Sequence, residues 1–287
     1  MATAVADTKD IQEYPVEGGK VSSSLLFILG RGRSGTTLLS RLLGSHPQVL
    51  IPPEGFFILN LLPRYKYWDP RPDQVELFLE RFLGERRIAS WGIQKEVLRN
   101  LLMDSSGPLN FTATIQKVYQ AYARSEGRDF NSIKWLGDKN PHYTIFSEKF
   151  AEAFPRAKFI LMHRDYWDNV HSYQRVPFDY QAAKVLAARW KIYNESLIMA
   201  ENRYSERCFR LSYEQLARNP EETLERVFSF LGISSSFPNA TLSASGPQHF
   251  FGEGNAWHER LKGPVDSARV GVGEKAFTEQ EGAVIYT

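Results

Sequence analysis

The stretch "LLFILGRGRSGTTLLSRLLGSHP", residues 25–47, constrains this chain more than any other. Five apolar residues, 25–29, run into a turn that holds three glycines and two arginines, and leucines at helical spacing follow at once. A short unbroken apolar run signals a strand buried on both faces, the kind that builds parallel sheets. Residues 36–45 read as a helix with Leu38, Leu39, Leu42 and Leu43 on one side. His46 and Pro47 end it, and "VLIP" (49–52) reads as the next strand. A strand that ends in glycines at a helix N-terminus points backbone N–H groups and a positive dipole end at an anion. Gly30, Gly32 and Gly35 spell the dinucleotide fingerprint G-x-G-x-x-G, while Gly30, Gly35 and Thr37 spell most of the P-loop. Neither signature is complete. Thr36 stands where the P-loop lysine belongs, and the nearest cation, Arg33, lies three residues earlier.

The rest of the chain repeats this alternation. Residues 54–130 are mostly amphipathic helix, interrupted at "WDPRPD" (68–73) and "DSSGP" (104–108). "SIKWLGDKNP" (132–141) reads as a strand entering a polar turn. "AKFILMHRD" (157–165) reads as a second buried strand, polar turn and helix, the helix starting near Tyr166. A longer helix carries Leu186, Trp190, Tyr193 and Leu197, and "CFRLSY" (208–213) is a further strand that ends at Tyr213. In "NPEETLERVFSFLGI" (219–233), Asn219 suits a helix cap, Pro220 the first position and Gly232 the end. Residues 1–24 read as a flexible tail and 234–287 as a loop-rich closing segment. The expected fold is α/β: a single doubly wound parallel sheet with a P-loop-like phosphate-binding loop, in one domain over 25–287.

Composition narrows the partners. A chain of 287 residues, 43% hydrophobic, is long enough for one α/β core. With 35 basic and 33 acidic residues the net charge is +2, and no concentrated basic excess marks a nucleic-acid binder. Cys208 is the single cysteine, so an intrachain disulfide and a thiolate zinc cluster are both excluded. No metal is expected. The first 24 residues hold no apolar core of a signal peptide, and run 25–29 is far below the roughly 18 residues of a membrane span. The expectation is a cytoplasmic protein with no membrane span.

Three readings of the loop stay open on the residues alone. A dinucleotide reading draws on Glu54, an acid about 20 residues beyond the loop, where a ribose-binding carboxylate belongs. Arg31 and Arg33 crowd such a site. A P-loop phosphotransferase, kinase-like, needs a lysine and a magnesium site, for which Asp165 at a strand end is the available acid. A non-catalytic nucleotide-binding module keeps the loop without the chemistry.

The third enzyme reading comes from the motifs together. "RGRSGTTLLSRLLGSHPQV", "GDKNP", "AKFILMHRDYWDNVHSY" and "LSYEQLARNPEETLERVFSFLGI" resemble the sulfotransferases that use 3′-phosphoadenosine 5′-phosphosulfate (PAPS), above all the tyrosylprotein and bacterial branch. The resemblance covers residues 25–233 in order and continues more weakly to about 280. It implies a sulfuryl transfer to a hydroxyl acceptor (small molecule, glycan, lipid or peptide), with PAP as the nucleotide product. It further implies that Arg33, Ser34, Gly35, Thr36 and Thr37 cradle the 5′-phosphosulfate, Arg33 doing the lysine's electrostatic work. A sulfuryl group carries less charge than a γ-phosphoryl group, so side-chain cations suffice without magnesium.

By the same resemblance, Arg164 and Ser172 clamp the 3′-phosphate and Tyr213 lies near the adenine. Lys139 aims at the sulfate and leaving oxygen, and Glu54 is the general base, placed beside the loop by the second strand. This chain has Pro-Glu-Gly-Phe where the tyrosylprotein branch has Gly-Glu-Glu-Thr, which keeps the carboxylate but speaks against a peptide tyrosine acceptor. His142 is the alternative base. The closing segment offers Arg269 and Lys275 to the cofactor, and Phe250, Phe251 and Trp257 to an acceptor pocket.

Overall fold

A computed structural model of the chain describes residues 23–177, 182–234, 265 and 267–277. The apolar runs form strands: β1 (Ser24–Leu29), β2 (Val49–Leu50), β5 (Trp135–Lys139), β6 (Lys158–His163) and β7 (Cys208–Ser212) make one parallel sheet in the order β2-β5-β1-β6-β7. The remaining two strands, β3 (Tyr67–Trp68) and β4 (Leu109–Asn110), form a separate antiparallel ribbon that the sequence reading did not anticipate. Each is two residues long, too short to show a period.

Alternation along β1 divides its side chains between two layers. Leu25, Phe27 and Leu29 pack with one core, while Leu26 and Ile28 pack with the other. The first core holds helices α2 (Phe57–Tyr65), α3 (Pro72–Leu83), α4 (Lys95–Met103), α5 (Phe111–Ser125) and α6 (Ser147–Ala153). The second holds α1 (Thr36–Gly44), α9 (Tyr213–Arg218) and α10 (Pro220–Leu231). The helices α7 (Tyr166–Gln174) and α8 (Ala183–Arg203) pack on each other beside the sheet. Phe27 lies fully buried among the rings of Tyr143, Phe150, Phe154 and Phe159, so Phe27→Ala should cost about 3–5 kcal/mol. The fold is mixed α/β with a five-stranded parallel core, as expected. Among the described residues, no helix is long and apolar enough to cross a membrane.

Three local expectations are corrected. β5 lies between β1 and β2, so Glu54 reaches the phosphate loop across the end of β5 rather than directly. Tyr213 does not end β7 but opens α9, where Ser212 and Gln215 form a reciprocal capping box. Asn219 precedes α10 without a side-chain cap bond, because Pro220 at the first position leaves one fewer orphan N–H to satisfy. Gly232 ends that helix in the left-handed conformation, as its position indicated.

Candidate active site

Because the main sheet is parallel, the C-terminal ends of its strands share one edge, and in open α/β sheets ligands bind there. The loop after β1 crosses that edge. Two residues take positive φ, Arg33 at 63° and Gly35 at 89°. A Cβ on Gly35 would lie 2.6 Å from the Tyr213 ring and 2.9 Å from Met162, so only glycine fits. Neither a side-chain cap nor an acid occupies the first turn of α1, which leaves its N–H groups for another acceptor.

Buried polar residues hold the loop from below. The Gly30 N–H donates to Thr144 Oγ1 at 2.8 Å. Arg31 lies under the loop, donating to Asn169 Oδ1 at 2.7 Å with its guanidinium 4.2 Å from the Tyr173 ring centre. Asn169 Nδ2 in turn donates to Gly32 O at 3.1 Å and Ser34 Oγ at 3.0 Å. Neither Thr144 nor Asn169 stood out in the sequence, since both act through contacts more than 100 residues away.

The site has two poles. At one, Lys139 at the end of β5 is buried and donates to Thr37 Oγ1 at 3.1 Å and to Glu54 Oε1. Arg87 takes the other carboxylate oxygen of Glu54. Burial pushes the Glu54 pKa up, but Lys139 and Arg87 outweigh it and hold the carboxyl below its ordinary value. Asn140 Nδ2 and the Tyr143 hydroxyl both donate to Gly55 O, at 3.0 and 2.9 Å, fixing the backbone beside Glu54. Arg87, which sequence reasoning missed, sits in a positive-φ turn (74°) between α3 and a 3₁₀ turn, Ile88–Trp91. Asp138, wholly enclosed beneath Lys139, accepts from the Tyr119 hydroxyl at 3.1 Å; burial pushes its carboxyl up to about 8. His142 is exposed, with its ring 5.4 Å from that of Phe56.

At the other pole three guanidinium groups converge. Arg33 Nε donates to Ser172 Oγ at 3.2 Å. Arg164 donates to Arg33 O at 3.1 Å and to Arg269 O at 2.8 Å, and stacks 4.3 Å from the Tyr213 ring centre. Its Nε is buried without a hydrogen-bond partner. Burial first, then the charges of Arg269 and Arg164, hold the Arg33 pKa below its ordinary value. The ion-pair partner of Arg164 is Asp168, at 3.8 Å, while Asp165 caps α7 by accepting from the Asp168 N–H at 3.1 Å. That bond gives Asp165 a structural task. Arg33, Ser34, Gly35, Thr36, Thr37, Arg164, Ser172 and Tyr213 thus line one continuous edge. Lys275 is exposed on the short turn Glu274–Ala276; Phe250, Phe251 and Trp257 lie outside the described residues.

Comparison with known proteins places this geometry in a family. The profile described as "Sulfotransferase family" matches residues 26–238, and the chain belongs to that family. It is 27% identical over 222 residues to protein-tyrosine sulfotransferase 2 of Gallus gallus, covering 74% of this chain and 52% of that protein. To protein-tyrosine sulfotransferase 1 of Danio rerio it is 29% identical over 214 residues, 73% of this chain and 53% of the relative. To the nodulation protein NoeE of Sinorhizobium fredii (strain NBRC 101917 / NGR234) it is 26% identical over 234 residues, 72% and 50%. The chain spans about half the length of these three relatives. In fold it is similar to the sulfotransferase domain of the Synechococcus PCC 7002 olefin synthase, with a TM-score of 0.60, 21% identity, and coverage of 96% of this chain and 98% of that one. The sulfotransferase domain of the curacin biosynthetic pathway gives a TM-score of 0.58 at 19% identity, covering 92% and 97%.

Proposed function

We propose that this protein transfers a sulfuryl group from 3′-phosphoadenosine 5′-phosphosulfate to a hydroxyl group of an acceptor, with Glu54 as the general base. The observation that carries the reading is the pairing of two unlike poles along one sheet edge: a carboxylate held by two cations, and a group of arginines around Arg33 in which Arg164 Nε has no hydrogen-bond partner among the described residues. The residues fit the donor. An uncapped α1 N-terminus and the Thr37 hydroxyl suit the phosphosulfate, while Arg164, its Nε unpartnered, and Ser172 suit a second phosphate. When bound, the donor supplies an electrophilic sulfur and a phosphate leaving group.

The chain's own residues then divide the work. Glu54 is ionised at neutral pH, and each of its oxygens, accepting one bond from Lys139 or Arg87, keeps a lone pair to take the acceptor's proton as the hydroxyl attacks in line. Lys139 touches both Glu54 and Thr37, so it can turn from the carboxylate toward negative charge that develops at the loop. Arg33 contributes its charge from the Ser172 side. A phosphotransferase reading is disfavoured by Thr36 in the lysine position and by Asp165 serving as a helix cap.

Calorimetry tests the proposal. Adenosine 3′,5′-bisphosphate should bind without magnesium and more tightly than ATP or NAD, with or without the metal. Preference for ATP with magnesium would overturn it in favour of the phosphotransferase. Tight binding of the bisphosphate with neither sulfuryl transfer nor slow hydrolysis of the donor by the same preparation would leave a binding module.

A further inference from the structure

We infer that Asp168 is a positioning residue for nucleotide binding: its buried carboxylate latches residues 267–277 onto α7 and so delivers Arg269 to Arg33 and Arg164. The inference rests on the reading that these arginines receive a phosphate of the donor. Asp168 is the third residue of α7, a position where an acid commonly does no more than complement the helix dipole. Here the cap itself is made by Asp165, and both oxygens of Asp168 point elsewhere. Oδ2 accepts from the Gly271 N–H at 2.9 Å and Oδ1 from the Gly273 N–H at 2.6 Å, links that span more than 100 residues. Its side chain is wholly enclosed, so these bonds form away from competing water.

Packing agrees with the bonds. A Cβ on Gly273 would fall within the backbone of Trp167 and Asp168, so the segment lies flat on the first turn of α7 and glycine alone permits it. Phe277 closes over Trp167 with ring centres 5.3 Å apart. The segment also faces an opposing force. Arg269 is drawn beside Arg33 and Arg164, where like charges repel; burial first, and then the charge of Arg269, lower the Arg33 pKa. Asp168, 3.8 Å from Arg164 Nη2, is the carboxylate that offsets this, through both its charge and its two N–H bonds. An anion bound among the arginines removes the same repulsion. Latch and ligand therefore favour one arrangement, and each should strengthen the other.

The full-length chain and its D168N, R269A and D168N/R269A variants test this by calorimetry with adenosine 3′,5′-bisphosphate and by amide exchange over residues 267–277. D168N should weaken binding roughly 10- to 100-fold, R269A should do much the same, and the double variant should be no weaker than D168N alone. Exchange over 267–277 should speed in D168N while β1 and β5 keep wild-type protection. G273A, which leaves the carboxylate intact but lifts the segment, should reproduce both effects and guards against a D168N that fails to fold. Additive losses in the double variant, or unchanged exchange over 267–277 in D168N and G273A, overturn the latch. If the wild type does not bind the bisphosphate at all, the donor reading fails; the exchange comparison then decides the latch by itself.

Discussion

The two poles of the site are built from the same residue types and differ in one respect. Around Glu54, Lys139 and Arg87 hold one carboxylate between them, one at each oxygen. Around Arg33, among the described residues, the charges of Arg269 and Arg164 lie close enough to lower its pKa after burial, and the ion pair seen there, Arg164 to Asp168, spans 3.8 Å. A paired group is stable as it stands, while a group of like charges stores repulsion that a ligand can release. On the proposed function, the first pole handles the proton and the second receives the anion.

Removing the carboxylate of the first pole should have the largest effect. Glu54→Gln keeps the size but cannot accept a proton, and should lower kcat by roughly 10²–10⁴-fold with bisphosphate affinity nearly unchanged. Slow release of the bisphosphate from the donor serves as the first assay, before an acceptor is in hand. Should Glu54→Gln remain active while His142→Ala is dead, the base belongs to His142 and the contrast between the poles loses its chemical meaning.

Next in size are the cations of the second pole. Arg164→Ala should cost about 1.5–3 kcal/mol of bisphosphate affinity, and less for adenosine 5′-phosphate. Thermal unfolding sharpens the comparison. Arg33→Ala should leave the midpoint unchanged or raise it, because it relieves repulsion, whereas Lys139→Met should lower it by stranding Glu54 beside Asp138. Equal destabilisation by both variants would erase the distinction.

Smaller effects appear with pH. The Glu54 pKa is depressed in the folded chain, so its contribution to stability is present above the unfolded carboxyl value and is lost as pH falls through the folded one. Arg87→Ala should shift the acid limb of turnover upward, and a profile identical to wild type would remove Arg87 from the pole. Asp138 has the opposite sign. Its pKa is raised to about 8, so stability is lost as pH climbs from about 4, the unfolded value, to about 8. Asp138→Asn should flatten that decline and raise the midpoint modestly at pH 9; a midpoint that falls there would show that the ionised form is the one the fold supports.

How much of this was written in the chain can be judged residue by residue. The apolar run 25–29, the glycines and the leucines of α1 announce a buried strand, a glycine-rich turn and a helix, and the structure places all three there. Arg164 and Ser172 belong to one continuous motif, and their meeting beside Arg33 follows from a strand end and a helix two turns long. Arg87 was not legible. It reads as one of many surface arginines, and only a left-handed turn packed beside Gly55 carries it to Glu54. Asn169 and Asp168 lie inside the motif, yet nothing in their spacing tells that one holds the loop and the other the closing segment.

The sequence by itself determined what is local: which runs become strands, where glycine is required, and which helix N-terminus follows the glycine turn without an acid in its first turn. Those properties follow from period, backbone freedom and dipole, which act over a few residues. The tertiary structure alone decided which charges are paired. β5 inserts between β1 and β2 and thereby sets Lys139 between Thr37 and Glu54, and the closing segment returns Arg269 to a cluster that begins more than 200 residues earlier. Charge acts through space and is sharpened by burial, so a carboxylate's role depends on neighbours that sequence order does not name.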